Sequence, residues 1–216
     1  MDYEREREEM VRTQVEFRGV TDRRVLDAMR RISREEFAGE KYRAGAYEDH
    51  PLSIGEGQTI SQPYIVALMT QLLRLSGKEK VLEVGTGSGY QTALLAELGG
   101  EIYSVERCGK LAQGAAKVLE RLGYKNVRIL AGDGTEGLKE YAPFDRIIVT
   151  AAAPKVPEPL VEQLCEGGII VIPAGSLHSQ ELQVVEKKNN KIHITNHGGC
   201  VFVPLVGRYG WQENEI

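Results

Sequence analysis

The chain has 216 residues, 42% of them hydrophobic and 27% charged, and a formal net charge of −4. That profile excludes a disordered or fibrous chain and fits one sizeable globular domain. No apolar run approaches the roughly 20 residues that span a bilayer, and no excess of positive charge marks a nucleic-acid binder.

The opening residues, MDYEREREEM, are charged where a secretory leader is apolar, so a cytoplasmic location is expected. Polar, amphipathic helices are predicted over 4–18 and 22–36, the second with Val25, Leu26, Met29 and Ile32 on one face. Arg23, Arg24, Arg30, Arg31 and Arg34 alternate there with Asp22, Asp27, Glu35 and Glu36, which reads as a solvated face. Residues 42–63 hold Gly45, Pro51, Gly55, Gly57 and Pro63 and read as a long irregular loop, more often functional than accidental in a domain of this size. Helical periodicity resumes over 64–75.

From there strands and helices alternate. Strands are predicted over 80–84, 101–105, 127–130, 146–150 and 169–173, with helices over 90–98, 110–122, 134–141 and 158–164 between them. Such alternation implies parallel pairing through right-handed crossovers, a doubly wound, mostly parallel α/β sheet. Near the end, 181–186 and 192–195 flank Asn189-Asn190, a hairpin signal, and a further strand is expected over 199–206. The chain reads as a single domain in three parts: N-terminal helices and loop (1–78), α/β core (79–175) and C-terminal antiparallel strands (176–216).

The three cysteines, Cys108, Cys165 and Cys200, are odd in number and far apart, which suits neither a disulfide framework nor a CxxC-type zinc site. Of the four histidines only His193 and His197 lie four apart, in a stretch that alternates like a strand, so no metal is expected.

The string VLEVGTGSGYQTALLA, residues 81–96, places Gly85, Gly87 and Gly89 at a strand-to-helix turn, where missing Cβ atoms let a ligand approach the backbone. With Thr86 between them, these residues form a candidate cofactor cradle. A dinucleotide fingerprint needs glycine at position 90, which is Tyr90. Glu83, two residues before the first glycine, would repel a pyrophosphate but suits a ligand carrying ammonium and sulfonium groups. Glu106, followed by Arg107, closes the next strand, where its two oxygens can accept from ribose hydroxyls. Asp133 follows the third strand; it can accept from an adenine amino group or simply cap the next helix. Gly134 leaves room for the ring. This set favours S-adenosylmethionine over a nicotinamide dinucleotide.

The fourth strand end, Thr150-Ala151-Ala152-Ala153-Pro154, is small and nonpolar. An amine acceptor needs polar groups to orient its lone pair, whereas a carboxylate arrives already nucleophilic. Close helix–sheet packing explains the alanines equally well, and both readings stand.

With GQTISQP at 57–63, the glycine turn, Gly132-Asp133-Gly134, the alanines at 151–153 and Phe202-Val203-Pro204-Leu205, the chain resembles the protein-L-isoaspartate O-methyltransferases over nearly its whole length. GQTISQP is the most specific of these strings. The resemblance implies a Rossmann-like, S-adenosylmethionine-dependent methyltransferase with rearranged final strands. It implies methylation of the α-carboxylate of isoaspartyl residues in damaged proteins, which initiates repair through a succinimide. It also implies Ser61 as the active-site residue, with Thr59, Ile60 and Val203 beside the acceptor. A monomer without nucleic-acid, membrane or metal partners is expected. From the residues alone, Ser-Gln-Pro before an apolar helix suits an ordinary N-cap as well. Two other functions compete: the same cofactor used on a small molecule or RNA, and a cofactor-binding module without turnover. The joint presence of Glu83, Glu106, Asp133 and Ser61 weighs against the second.

Overall fold

The computed structural model describes residues 2–216. Helix α1 (Tyr3–Met10) is capped by the Asp2 carboxylate on the Arg5 N–H and runs on as a π-helical stretch over Val11–Glu16, so the first segment is not one uniform α-helix to 18. Helix α2 (Arg23–Arg31) starts where the Asp22 carboxylate accepts from the Arg24 N–H at 2.9 Å. It stops short of its predicted end because Ile32 turns extended (φ −80°, ψ 121°), and a 3-10 turn over Arg34–Glu36 follows. That break carries Arg34 and Glu35 inside, to 0% and 8% exposure, so the charged stretch is not a solvated face throughout. Two main-chain carbonyls receive the Arg34 guanidinium, and the Tyr47 hydroxyl donates to Glu35.

The segment 42–63 is more ordered than a loop. It holds part of a 3-10 run over Glu40–Gly45 and an antiparallel hairpin of β1 (Leu52–Gly55) and β2 (Gln58–Ile60). All three residues at the hairpin tip have positive φ: Gly55 at 86°, Glu56 at 52° and Gly57 at 69°. Glycine adopts this region freely and glutamate does not. Helix α3 (Pro63–Leu72) opens on Pro63, whose missing N–H would have had no intrahelical partner.

The predicted alternation then appears as β3 (Lys80–Val84), α4 (Tyr90–Leu98), β4 (Glu101–Glu106), α5 (Gly109–Arg121), β5 (Val127–Ala131), β6 (Phe144–Val149), α6 (Glu158–Glu162) and β7 (Leu164–Gly175). The helix expected over 134–141 is instead two 3-10 turns, Gly134–Glu136 and Lys139–Tyr141, separated by Gly137 at φ +67°. Strands β8 (Gln180–Lys188) and β9 (Lys191–Cys200) form the expected hairpin, with Asn189 and Asn190 at φ 53° and 57° as its two-residue turn. The strand predicted over 199–206 is not a ladder strand. β9 ends at Cys200, and the segment beyond is joined to the sheet by an isolated bridge between Pro204 and Ala152. Pro204 has no N–H to give a ladder.

The seven-stranded sheet has the order β5-β4-β3-β6-β7-β8-β9, with the first five strands parallel and the last two antiparallel. From β3 the chain builds outward to β5 and then returns to place β6 on the other flank, which leaves a crevice at the carboxyl ends of the central strands. Side chains alternate across the sheet. Val81, Ile102, Ile148, Ile169 and Val171 join the core under the N-terminal helices and α4, whereas Leu82, Val84, Val105, Ile147 and Ile170 join the core that includes Leu160 of α6. Among the described residues no helix is long and apolar enough to cross a membrane.

Candidate active site

A cleft of about 230 Å³ lies at that crevice. Its floor comes from the ends of four parallel strands: Val84 to Gly87 after β3, Val105 and Glu106 of β4, Gly134 beyond β5, and Thr150 and Ala151 after β6. The hairpin residues Glu56, Gln58, Thr59 and Ile60, with Ser61 after them, and the extended segment Phe202 to Val206 close it from the other sides.

Gly85, Gly87 and Gly89 sit at φ 98°, 53° and 90°, which is why this turn carries glycine at every second position. Gly85 and Gly87 wall the cleft with Thr86. A Cβ on Gly85 would run into the Thr150 hydroxyl, which donates to the Gly85 carbonyl at 2.6 Å and so ties the β3 and β6 ends together. Gly89 does not wall the cleft: a Cβ there would press on Ala115 at 3.2 Å and Leu119 at 3.3 Å, so its task is to seat α4 against α5. Gly134 walls the cleft and is also forced by packing, since its Cβ would meet Val84 Cγ1 at 2.5 Å.

The three predicted acids have three different environments. Glu106 faces the cleft at 8% exposure; its Oε2 accepts from the Gly87 N–H and its Oε1 from the Cys108 N–H, each at 2.9 Å. These bonds fix the carboxylate while each oxygen keeps a lone pair for a ligand hydroxyl. Glu83, in contrast, is fully buried and does not wall the cleft. Its Oε2 accepts from Thr92 Oγ1 at 2.5 Å and Ser104 Oγ at 2.6 Å, and its Oε1 has no partner. Burial pushes its pKa up to about 8 against the pull of those two hydroxyls, and Glu106 adds to the rise. A carboxyl largely neutral at pH 7 exerts little repulsion on a pyrophosphate, so the charge argument passes from Glu83 to Glu106.

Asp133 is likewise absent from the cleft wall. Its Oδ1 accepts from the Thr135 N–H at 2.9 Å and Thr135 Oγ1 at 2.7 Å, and its Oδ2 from the Arg208 N–H at 2.7 Å. The carboxylate caps the 3-10 turn, the second of the two roles open to it from the sequence, and anchors the C-terminal strap (residues 207–216), while Oδ2 keeps a lone pair. Arg107 does wall the cleft; Nη1 pairs with Glu213 Oε1 at 2.8 Å, bringing the strap to the same rim.

At the other end, Thr59, Ile60, Ser61 and Val203 all wall the cleft. The N-cap of α3 is Gln62, without a side-chain capping bond, so Ser61 is not the cap. Its hydroxyl makes no hydrogen bond among the described residues. The alanines divide: Ala151 walls the cleft, whereas Ala152 and Ala153 are buried in bridges to Pro204 and Ala174. Close packing accounts for the latter two. Tyr90 and Gln91 wall the cleft too and were missed, because the sequence marked position 90 only as a glycine that was lacking. Gln91 is held from behind by the bond from its Nε2 to Thr70 Oγ1 at 2.9 Å.

A doubly wound sheet with a glycine turn after its first central strand and a carboxylate at the end of the second is a Rossmann-like frame for a nucleoside cofactor, and Tyr90 in place of the third dinucleotide glycine sets it apart from the dehydrogenases and with the methyltransferases. The profile of the protein-L-isoaspartate (D-aspartate) O-methyltransferases matches residues 5–210. The protein-L-isoaspartate O-methyltransferase of Syntrophus aciditrophicus is 54% identical over 213 residues, 97% of this chain and 98% of that protein. A solved protein-L-isoaspartate O-methyltransferase superimposes with a TM-score of 0.84 at 31% identity, covering 94% of this chain and 67% of that one. A putative enzyme of the same kind from Plasmodium falciparum, in complex with S-adenosyl-L-homocysteine, gives a TM-score of 0.78 at 26% identity over 93% of this chain and 98% of that one. The chain belongs to the protein-L-isoaspartate (D-aspartate) O-methyltransferase family, and its activity is methyl transfer from S-adenosylmethionine to isoaspartyl residues of damaged proteins. The cleft fits that cofactor, since Glu106 offers two fixed acceptor oxygens for a ribose diol beside a backbone turn bare of Cβ atoms.

Proposed function

We propose that Ser61 aims the α-carboxylate of an isoaspartyl residue along the cleft, while the turn at Gly85, Thr86 and Gly87 with Glu106, Arg107 and Gly134 holds the methyl donor. The observation that carries this reading is that Ser61 lines the cleft while its hydroxyl is not spent on capping α3. The cofactor supplies an electrophilic methyl on a good leaving group. An α-carboxylate ionises near pH 3.3–3.7, so at neutral pH it is nucleophilic without a general base. The chain's task is then to orient one carboxylate oxygen and to exclude water, because a hydrated carboxylate is a poor nucleophile.

Thr59, Ile60 and Val203 form the acceptor end with Ser61. Val203 is tied down by its carbonyl, which accepts from the Ala152 N–H at 2.8 Å, and Leu205 donates back to the Ala152 carbonyl at 2.8 Å. Backbone thus fixed can serve a peptide of any flanking sequence. The methyl ester formed closes to a succinimide, whose hydrolysis returns part of the residue to aspartate. The setting we assign is a monomer in the cytoplasm, acting on proteins and not on nucleic acid or membrane; the three free cysteines and the acidic net charge support it.

Replacing Ser61 by alanine tests the reading. Loss of the orienting hydroxyl lowers kcat/KM for an isoaspartyl peptide on the order of a hundredfold, while the S-adenosylhomocysteine dissociation constant stays within about threefold, read by calorimetry. Equal losses in both measurements would remove Ser61 from the acceptor end.

A further inference from the structure

Arg34 is fully buried, and among the described residues no carboxylate pairs with it. Buried charges are normally matched by an opposite charge. Here the guanidinium instead spans two main-chain carbonyls: Nε donates to Ala46 and Nη2 to Ser61, each at 2.8 Å. Its third nitrogen, Nη1, is buried with no acceptor. The guanidinium carbon lies 4.8 Å from the centre of the Tyr90 ring; Tyr90 walls the cleft, and its buried hydroxyl, which lacks any other partner, interacts with the guanidinium.

A planar guanidinium is a rigid fork, so it fixes the spacing of the two carbonyls it spans. One prong ends on the residue whose hydroxyl serves the acceptor, and the other on the loop that precedes β1. The charge has no carboxylate partner among the described residues, only carbonyl oxygens and the Tyr90 ring, and it lies directly behind the Ser61 main chain.

We propose that Arg34 is a positioning residue for methyl transfer: it sets the Ser61 main chain and supplies the positive charge against which the acceptor carboxylate docks. The inference rests on the reading of Ser61 given above. It separates the two properties of the side chain. Arg34→Lys keeps the charge and loses the fork; Arg34→Gln loses both. Turnover of an isoaspartyl peptide therefore falls about tenfold or more in both variants, and KM for the peptide rises only in Arg34→Gln. The S-adenosylhomocysteine dissociation constant stays within about threefold.

Met29→Ala serves as the control for destabilisation, since Met29 is fully buried in the same N-terminal layer and does not wall the cleft. All variants are assayed well below their melting temperatures, with active sites counted by S-adenosylhomocysteine binding. Wild-type constants in both Arg34 variants, a matching loss in Met29→Ala, or a parallel loss of cofactor affinity would each overturn the proposal. Should neither Arg34 variant fold, the wild-type enzyme carries the test: the Arg34 Nε–H resonance shifts on saturation with the isoaspartyl peptide and not with its aspartyl counterpart. An unmoved resonance overturns the proposal. If Ser61→Ala itself turns over normally, the reading of Ser61 fails; if Ser61→Ala is impaired and the Arg34 variants are not, only the present inference fails.

Discussion

Glu83 and Glu106 stand near the ends of neighbouring strands, and their surroundings give them opposite tasks. Glu106 meets the cleft with both oxygens held by backbone N–H groups, whereas Glu83 is sealed between β3, β4 and α4 with one oxygen unpartnered. A folded-state pKa of about 8 lies well above the ordinary glutamate value, so the folded chain holds a proton that the unfolded chain releases. The stability tied to that proton is complete below about pH 4.5 and is lost as pH rises through 8, a change on the order of 5 kcal/mol. Glu83→Gln keeps an acceptor for Thr92 and Ser104 and has no proton to lose. Its denaturant midpoint is expected to gain on wild type steadily between pH 5 and 8, and parallel profiles would show that Glu83 does not titrate in that window. Both acids were visible in the sequence as strand-end carboxylates. Which of them faces the ligand was not, because that depends on how far Thr92 of α4 and Ser104 of β4 enclose the side chain. Arg34 was hidden for a related reason: a charged run gives no sign that one member is turned inward by an extended Ile32.

At the scale of elements, the hairpin of β1 and β2 is a short two-stranded unit outside the main sheet. Its tip residue Glu56 walls the cleft in a strained left-handed conformation and pairs with Lys110 of α5 at 2.7 Å, which ties the hairpin across the cofactor end. Both side chains are substantially exposed, so the pair contributes at most about 1 kcal/mol and is screened by salt. Lys110→Ala is expected to speed S-adenosylhomocysteine release by no more than about fivefold at low ionic strength, with the difference vanishing near 1 M salt, measured by stopped flow. A salt-independent acceleration would mean that Lys110 acts otherwise than through Glu56. The parallel strands and their helices were legible because hydrophobic periodicity is strong where both faces of a sheet are covered. The hairpin was not, since β2 has only three residues and its tip is set by dihedral angles that the glycines permit but do not announce. The segment after Cys200 misled for the opposite reason: its alternation suggests a strand, yet Pro204 and the single bridge to Ala152 leave it without a ladder.

Over the whole molecule, the proposed acceptor end draws on residues far apart in the chain, Arg34, Ser61 and Val203, whereas most of the proposed cofactor end lies within the continuous stretch from Gly85 to Gly134. The C-terminal strap adds one more long-range tie. Arg208 donates its N–H to Asp133, Tyr209 donates to Thr135 Oγ1 at 3.0 Å, and Trp211 Nε1 donates to the Ala152 carbonyl at 3.0 Å. Asp133→Ala leaves three donors without their acceptor, a loss of about 1–3 kcal/mol, so the melting temperature should fall by roughly 3–10 °C. Affinity for S-adenosylhomocysteine is expected to stay within about threefold, and a collapse of binding would restore the adenine contact that the sequence first suggested.

The three hydrogen bonds that Asp133 accepts bear on how this enzyme itself grows old. Asp133 precedes Gly134, and an aspartyl–glycyl step is the one least hindered from closing a succinimide, because glycine presents no side chain to the attack of its own nitrogen. The chain thus carries, at the rim of its cleft, the kind of linkage whose damaged form it exists to methylate. Closure requires the Asp133 carboxyl to swing free of Thr135 and Arg208. The bonds from Thr135 and from the strap therefore also act as a chemical preservative, since isomerisation at this step has first to release the carboxyl from all three.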